Sequence, residues 1–383
     1  MTTSSRRSAL RLFGAVGAVA MATTSTSPAF GGETARQVPE DLRPGGALDR
    51  LAAELAAKDQ FSGSMAVIRR GWTVLRRSYG MANRQTGVRN GPRTSFGLAS
   101  VTKLFTAVAI HHLAQRGRLR YGDRIGAHLD GFPAPITEMV TIHHLLTHTS
   151  GLGDFRLLPG FREASRHWSS HAEVLDGTVG FIRRSELAFA PGTGNLYSNS
   201  GYCLLGAIVA AASGRSYYDY VAESVFDAAG MRDSGFFTKP RWRSDSRIAR
   251  PYARLPGVSE RTDNLDEHLY VGLPAGDAFA TCADLERFVH ALMSGKLLTP
   301  PYAALMLGAK VPLSGAAFVG YGAVSALEGG QWVHGHGGGS TLGASTSLEV
   351  FPDGGWTVVV LCNYEPPGAE PVARLARQII VAQ

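Results

Sequence analysis

Lysine, cysteine and long apolar runs are scarce in this chain. Only Lys58, Lys103, Lys239, Lys296 and Lys310 carry an amine among 383 residues, against 38 basic residues in all, so each lysine is a rare group. Cys203, Cys282 and Cys362 are odd in number and far apart. That spacing argues against a disulfide framework or a thiolate metal cluster, and buried free thiols are expected. No apolar run approaches the roughly 20 residues needed to cross a bilayer. No G-x-S-x-G occurs, so a nucleophile elbow has no candidate serine. Metal signatures are incomplete. His144 and His148 stand four apart, but Leu145 follows His144 where H-E-x-x-H needs glutamate, and His334-x-His336 leads to Gly338 where a zinc pattern of that spacing wants aspartate. Neither a metal nor any other cofactor is expected. The formal charge of +7 falls to +4 without Arg6, Arg7 and Arg11, and no basic stripe interleaved with aromatics suggests nucleic acid as a partner.

What the chain does have is an ordered set of three short motifs. Ser100-Val101-Thr102-Lys103 comes first, and it is the one place where a serine precedes a lysine by three. Residues three apart on a helix share a face, with Cβ atoms roughly 5–6 Å apart, so the Lys103 amine can lie beside the Ser100 hydroxyl. A serine hydroxyl is a poor nucleophile until a neighbour takes its proton. Leu104, Phe105, Val108, Ala109 and Ile110 make the following segment apolar nearly all round, as in a buried helix, and Gly117 ends it. Ser100 is thus expected at the N-terminus of a core helix, where free N–H groups favour developing negative charge. His111 and His112 fall near the far end of that helix and read as surface groups.

Tyr197-Ser198-Asn199 lies in a Gly-, Asn- and Ser-rich loop before the apolar run Tyr202 to Ala212. Tyr197 is expected to shuttle protons, which requires a nearby cation, with Lys103 the candidate, to lower its pKa from about 10. Asn199 offers an amide to hold Lys103 and the acyl group of a substrate. The third motif, His336-Gly337-Gly338-Gly339, is flanked by strand-like segments at Val319 to Leu327 and Thr346 to Phe351. Glycines there suggest close approach by a ligand or another backbone, with the Gly339 and Ser100 N–H groups as an oxyanion hole and His336 facing the cleft.

With Phe61-Ser62-Gly63, Leu145 to Leu152 (LLTHTSGL) and Pro191-Gly192 added, these motifs resemble the β-lactamase-related serine hydrolases from Phe61 to the C-terminus. That family comprises class C β-lactamases, D-alanyl-D-alanine carboxypeptidases and their esterase and D-peptidase relatives. The resemblance implies Ser100 as nucleophile, Lys103 and Tyr197 as the acid/base pair, and Asn199, His336, Gly337, Gly338 and Gly339 lining the substrate and oxyanion site. One departure bears on substrate. The β-lactamases and most penicillin-binding proteins of the family have K-T-G or H-T-G at the third motif, and here Gly337 supplies no hydroxyl while the charge of His336 depends on pH. The expected substrate is a small ester, amide or peptide, D-amino-acid peptides included, that lacks a carboxylate anchor. A D-alanyl-D-alanine carboxypeptidase, a class C-like β-lactamase and a penicillin-binding sensor that never turns over remain alternatives.

The N-terminus carries Ser5-Arg6-Arg7-Ser8, then the mild apolar run Leu12 to Ala22 and a cleavage-like Ser27-Pro28-Ala29. This predicts a twin-arginine export signal over residues 1–29 and a location outside a bacterial cytoplasm. An N-terminal segment with a first helix is expected over 30–60, and the hydrolase domain over 61–383. The predicted fold class is α+β. A hairpin at Ser64 to Tyr79 and three or four strands between Val319 and Leu361 would join in one antiparallel sheet flanked by terminal helices, with a mostly helical region from about 120 to 270.

Overall fold

The computed structural model describes residues 38–254 and 257–383; the expected export signal at residues 1–29 lies outside the described residues. The first elements are α1 (Ala47–Ala57), β1 (Gly63–Arg69) and β2 (Trp72–Tyr79), and then α2 (Lys103–Gln115). The helical region holds α3 (Ile142–Leu146), α4 (His171–Ile182) and α5 (Asn199–Ser213), and α6 (Cys282–Met293) follows it. The chain closes with β3 (Val311–Pro312), β4 (Ala317–Val319), β5 (Val324–Glu328), β6 (Gln331–Ser340), β7 (Ala344–Phe351), β8 (Trp356–Cys362) and α7 (Glu370–Val381).

The strands form one antiparallel sheet in the order β2-β1-β8-β7-β6-β5-β4-β3, so that β1 from the front of the chain pairs with β8 from its end, Ala66 opposite Val359. Alternation along β1 and β8 sends their side chains into two cores. Met65, Val67, Val358 and Val360 pack with Leu48 and Ala52 of α1 and with Val372, Ala376 and Ile380 of α7. Ala66, Ile68, Val359 and Leu361 face the larger core built from α2, α5 and α6. Helices on both faces explain why Trp356–Cys362 is an unbroken buried run rather than an alternating one. The α+β architecture expected from the sequence, with terminal helices on an antiparallel sheet, is the observed one. Among the described residues no helix is long and apolar enough to cross a membrane.

Three local expectations need correction. The strand-like segment Val319 to Leu327 is the β4–β5 hairpin, turning where Gly322 takes φ +105° with its would-be Cβ 2.3 Å from Ala107 of α2. The glycine-rich third motif is itself strand, the centre of a ten-residue β6 paired with β7. His111 is fully buried, because Tyr121 and Tyr321 cover the last turns of α2 with ring centroids 5.3 and 5.7 Å from its imidazole. Burial pushes its pKa down to about 4, so it is a neutral core group. His112 is half-buried and bonds Tyr220 Oη at 2.9 Å. Cys203, Cys282 and Cys362 are buried free thiols.

Candidate active site

Ser100 sits in a single 3-10 turn, Ala99–Thr102, that leads directly into α2. The residue before it, Ala99, takes φ +43°, a strained conformation for a side-chain-bearing residue of the kind that gathers at functional sites. Strand β6 fixes the position of this turn. An added Cβ at Gly338 would lie 2.4 Å from Leu98 O and 3.1 Å from Ser100 N, so only glycine lets the strand lie against the Ser100 backbone. Thr346 on β7 completes the attachment by donating its hydroxyl hydrogen to Leu98 O at 2.8 Å. Gly337 and Gly339 lie on the exposed side of β6, and the nearest neighbour to an added Cβ at Gly337 is 3.9 Å away. Past Gly335, the last residue paired with β5, the strand's outer edge has no strand partner among the described residues.

Lys103 is completely buried one turn below Ser100. Its Nζ reaches Ser100 Oγ at 3.2 Å, Asn199 Oδ1 at 2.8 Å and the Ala275 carbonyl at 2.5 Å. Burial, reinforced by the nearby Arg156, brings its pKa down to about 7. Tyr197 closes the other side, its hydroxyl donating to Ser100 Oγ at 2.7 Å. The Tyr197 side chain is 46% exposed, yet its hydroxyl end is enclosed, and burial pushes the phenol up to about 12. This overturns the expectation that Lys103 lowers the tyrosine. The Lys103 amine lies 4.8 Å from the centroid of the Tyr197 ring, and with its pKa near 7 it is only partly charged at neutral pH, so burial prevails over the stabilisation it offers the phenolate.

Asn199 opens α5, whose N-cap Ser198 accepts from the Gly201 N–H. Its Oδ1 faces Lys103, and its Nδ2 donates to Asp154 Oδ2 at 2.7 Å. Asp154 in turn holds Arg156 through two guanidinium nitrogens. Burial works against the Asp154 carboxylate, but the bonds from Arg156 and Asn199 keep its pKa below the usual range. A chain of hydrogen bonds therefore runs from Arg156 through Asp154, Asn199 and Lys103 to Ser100.

His336 faces the cleft from β6, its ring centroid 6.4 Å from that of Tyr197. Burial and the nearby Lys103 bring its pKa to about 4, which makes it neutral at any ordinary pH rather than conditionally charged. His148, from the segment after α3, stacks on Tyr197 at 4.5 Å and accepts the Ser198 N–H on Nδ1 at 3.0 Å. Its pKa lies well below 6.5, through burial first and then Lys103 and His336. The sequence reading weighed His148 only as half of an incomplete metal-ligand pair, and passed over Asp154, Arg156 and the segment Ala275–Asp277. For His148 the available signal was its place inside LLTHTSGL; for the others no local pattern existed. His144, weighed as a metal ligand, is instead the N3 residue of the capping box of α3 with Thr141. No group of three or more candidate metal ligands occurs among the described residues.

The chain as a whole is similar to known proteins in sequence and in fold. A penicillin-binding protein of Bacillus subtilis (strain 168) is 35% identical over 258 residues, covering 64% of this chain and 55% of its own. Esterase EstB of Burkholderia gladioli is 34% identical over 216 residues, 54% of each chain. The chain thus spans about half the length of these curated relatives. The solved structure of a penicillin binding protein from Bacillus halodurans matches with a TM-score of 0.76 at 29% identity, covering 85% of this chain and 98% of that one. The β-lactamase family model matches residues 48–383, and the chain belongs to the β-lactamase family.

Proposed function

We propose that the protein is an exported serine hydrolase that cleaves small esters or amides, D-amino-acid peptides included, through an acyl-enzyme on Ser100. The observation that carries this reading is the pair of contacts on one oxygen: Ser100 Oγ lies 3.2 Å from a lysine amine and 2.7 Å from a tyrosine hydroxyl. With its pKa near 7, Lys103 is neutral in a large fraction of molecules and serves as the base. Tyr197, a phenol throughout, serves as the donor and relay. In the first step Ser100 Oγ bonds to the substrate carbonyl carbon and its proton passes to Lys103. Backbone N–H groups of Ser100 and Gly339 hold the resulting oxyanion. As the tetrahedral intermediate collapses, the bond to the leaving group breaks, Tyr197 protonates the departing oxygen or nitrogen, and the proton that Lys103 took from Ser100 restores the Tyr197 hydroxyl. Water then gives its proton to the same pair, attacks the acyl carbon and returns Ser100 to its hydroxyl form.

A neutral His336 and a glycine at 337 leave that wall without the cation and hydroxyl that would hold a substrate carboxylate. This supports substrates without such an anchor over penicillins, as does the similarity to an esterase. The export part of the reading rests on the Arg6-Arg7 pattern. The test is steady-state hydrolysis of p-nitrophenyl butyrate. Ser100→Ala and Lys103→Ala are each expected to lower kcat by on the order of a thousandfold or more. Turnover that survives Ser100→Ala would overturn the assignment, and a lasting penicillin adduct on Ser100 with no ester turnover would make the protein a penicillin-binding sensor instead.

A further inference from the structure

Two grooves adjoin where the C-terminal ends of α2, α5 and α6 come together. The first, of about 700 Å³, lies between α6 and the β1–β2 and β7–β8 turns; Arg70, Arg76, Arg287 and Lys296 line it, and Glu286 is the one carboxylate among the described residues on its walls. The second, of about 460 Å³, is lined by Arg116, Arg118, Arg215 and again Lys296, with Glu223 the one carboxylate among the described residues there. Lys296 thus stands on the wall of both. Gln115, the last residue of α2, joins the two sides: its Oε1 accepts the Thr299 N–H and the Thr299 hydroxyl at 2.9 Å each, tying the 294–299 loop after α6 to the end of α2.

The carboxylates within reach are already engaged. Glu286 pairs with Arg76 at 2.5 Å, Glu223 with Arg215 at 2.5 Å, and the fully buried Asp284 with Arg287 at 2.6 Å. Arg116, Arg118 and Lys296 are exposed, and their side chains have no hydrogen-bond or ion-pair partner among the described residues. A helix C-terminus offers a cation roughly half a negative charge, so three such ends answer about one and a half of these three charges. At least one full positive charge is left over. The paired arginines keep further N–H donors as well, because Arg215 and Arg287 each reach their carboxylate through Nη1, and the buried Arg76 Nε has no partner. Like charges gathered in this way repel one another and draw in an anion.

The layout of the cations says what kind of anion. They are strung along two adjoining grooves, so a single small anion meets only one or two of them, and a flat bilayer rests on the rims without reaching the floors. Nor is a base-stacking surface offered, since the rings of Tyr220, Phe351 and Trp356 on the walls are all buried. We propose that the joined grooves bind an extended acidic polymer, a chain with repeating phosphate or carboxylate groups, and hold the enzyme on it. Helix α2 separates this site from Ser100: its thirteen residues, at a rise of 1.5 Å each, put about 20 Å between Arg116 and the cleft. The polymer therefore tethers the enzyme and leaves the cleft open.

The test follows binding of fluorescein-labelled long-chain polyphosphate by anisotropy, with tripolyphosphate, poly-L-glutamate and phosphatidylglycerol vesicles as competitors. For the wild type, log K should fall against log salt with a slope of about −2 to −4. Arg116→Gln, Arg118→Gln and Lys296→Gln combined should reduce that slope by about 2 and weaken binding about a hundredfold at about 0.1 M salt, each lost contact carrying about 0.7 of the slope. Lys58→Gln, Arg89→Gln and Arg374→Gln combined remove the same charge from outside the grooves and should weaken binding less than about threefold. Both triple variants should turn over p-nitrophenyl butyrate as the wild type does. Equal losses in the two variants, or no binding of polyphosphate at low salt, would overturn the proposal. Tripolyphosphate competing as well as the long chain would reduce the site to a pocket for one anion, and vesicles competing better would make it a membrane contact; either outcome refutes the polymer. Poly-L-glutamate competing as well as polyphosphate upholds recognition of repeated charge of either kind, and its failure to compete upholds a phosphate-bearing chain alone.

Discussion

Replacing Gly338 by alanine tests how tightly the sheet holds Ser100. The new Cβ would stand 2.3 Å from Thr346 Oγ1, 2.4 Å from Leu98 O and 3.1 Å from Ser100 N. Two of those atoms already share the hydrogen bond that ties β7 to the residue two before Ser100. Restoring ordinary contact distances requires strand and turn to separate by about 1 Å, a displacement that costs about 1–3 kcal/mol in a packed interior. At roughly 2–4 °C per kcal/mol for a domain of this size class, the midpoint of thermal unfolding should fall by roughly 2–12 °C. Moving the turn by that distance also misplaces Ser100 Oγ relative to Lys103 and Tyr197, a loss on the order of a hundredfold in kcat. The internal control is Gly337→Ala one residue earlier, where the nearest atom is 3.9 Å from the added methyl. It should unfold within about 2 °C of wild type, since a free-standing surface change stays within roughly 0.5 kcal/mol. Differential scanning calorimetry and p-nitrophenyl butyrate kinetics on both variants decide the matter. If Gly338→Ala were as stable and as active as Gly337→Ala, the strand would not position the serine.

Other consequences can be measured on the same protein. Because Lys103 must be unprotonated to accept the serine proton and its pKa is about 7, kcat/KM for an uncharged ester should fall as pH drops below 7, approaching about tenfold per unit, and level off above about 8; a flat profile from pH 5 to 8 would exclude a lysine base of this pKa. Asp154→Asn removes a carboxylate that raises the proton affinity of Lys103 and leaves a single acceptor oxygen to serve both Arg156 and the Asn199 amide. The acid limb should therefore move to lower pH while kcat drops about tenfold, and an unshifted limb would show that Asp154 has no hold on Lys103. His148→Phe keeps a ring against Tyr197 but strands the buried Ser198 N–H, which should cost about 1–3 kcal/mol in urea unfolding. His148→Asn, which retains an acceptor, should recover part of that loss, and equal destabilisation by the two would refute the hydrogen bond's role.

Much of the site could be read in the sequence because its pieces are local. Ser100 and Lys103 meet through helical spacing, and Asn199 reaches Lys103 because it opens α5 immediately after the loop that carries Tyr197. What could not be read depends on segments that converge from far apart in the chain. His148 and Asp154 come from the loop after α3 and Asp277 from the loop before α6, and no spacing rule connects either loop to Ser100. The direction of the Tyr197 pKa was equally hidden, because burial outweighs the bond to Ser100 and the nearby Arg156, and burial is a property of the whole fold. The Gly337–Gly339 run was read as glycines flanked by strands because glycine weakens strand propensity in isolation. In the folded chain, pairing with β7 on one side and the close approach of Gly338 to the Ser100 turn make it the strand that holds Ser100 in place. His111 failed for a related reason, since two tyrosines distant in sequence cover the end of α2.

The central claim is that Ser100 carries the acyl group, and time-resolved intact mass with peptide mapping tests it most directly. After mixing with p-nitrophenyl butyrate in the millisecond to second range, a single butyryl adduct should appear and decay at the turnover rate, map to the peptide containing Ser100, and be absent from Ser100→Ala. Ester turnover with no adduct at any time, or an adduct on another residue that persists in Ser100→Ala, would contradict the account.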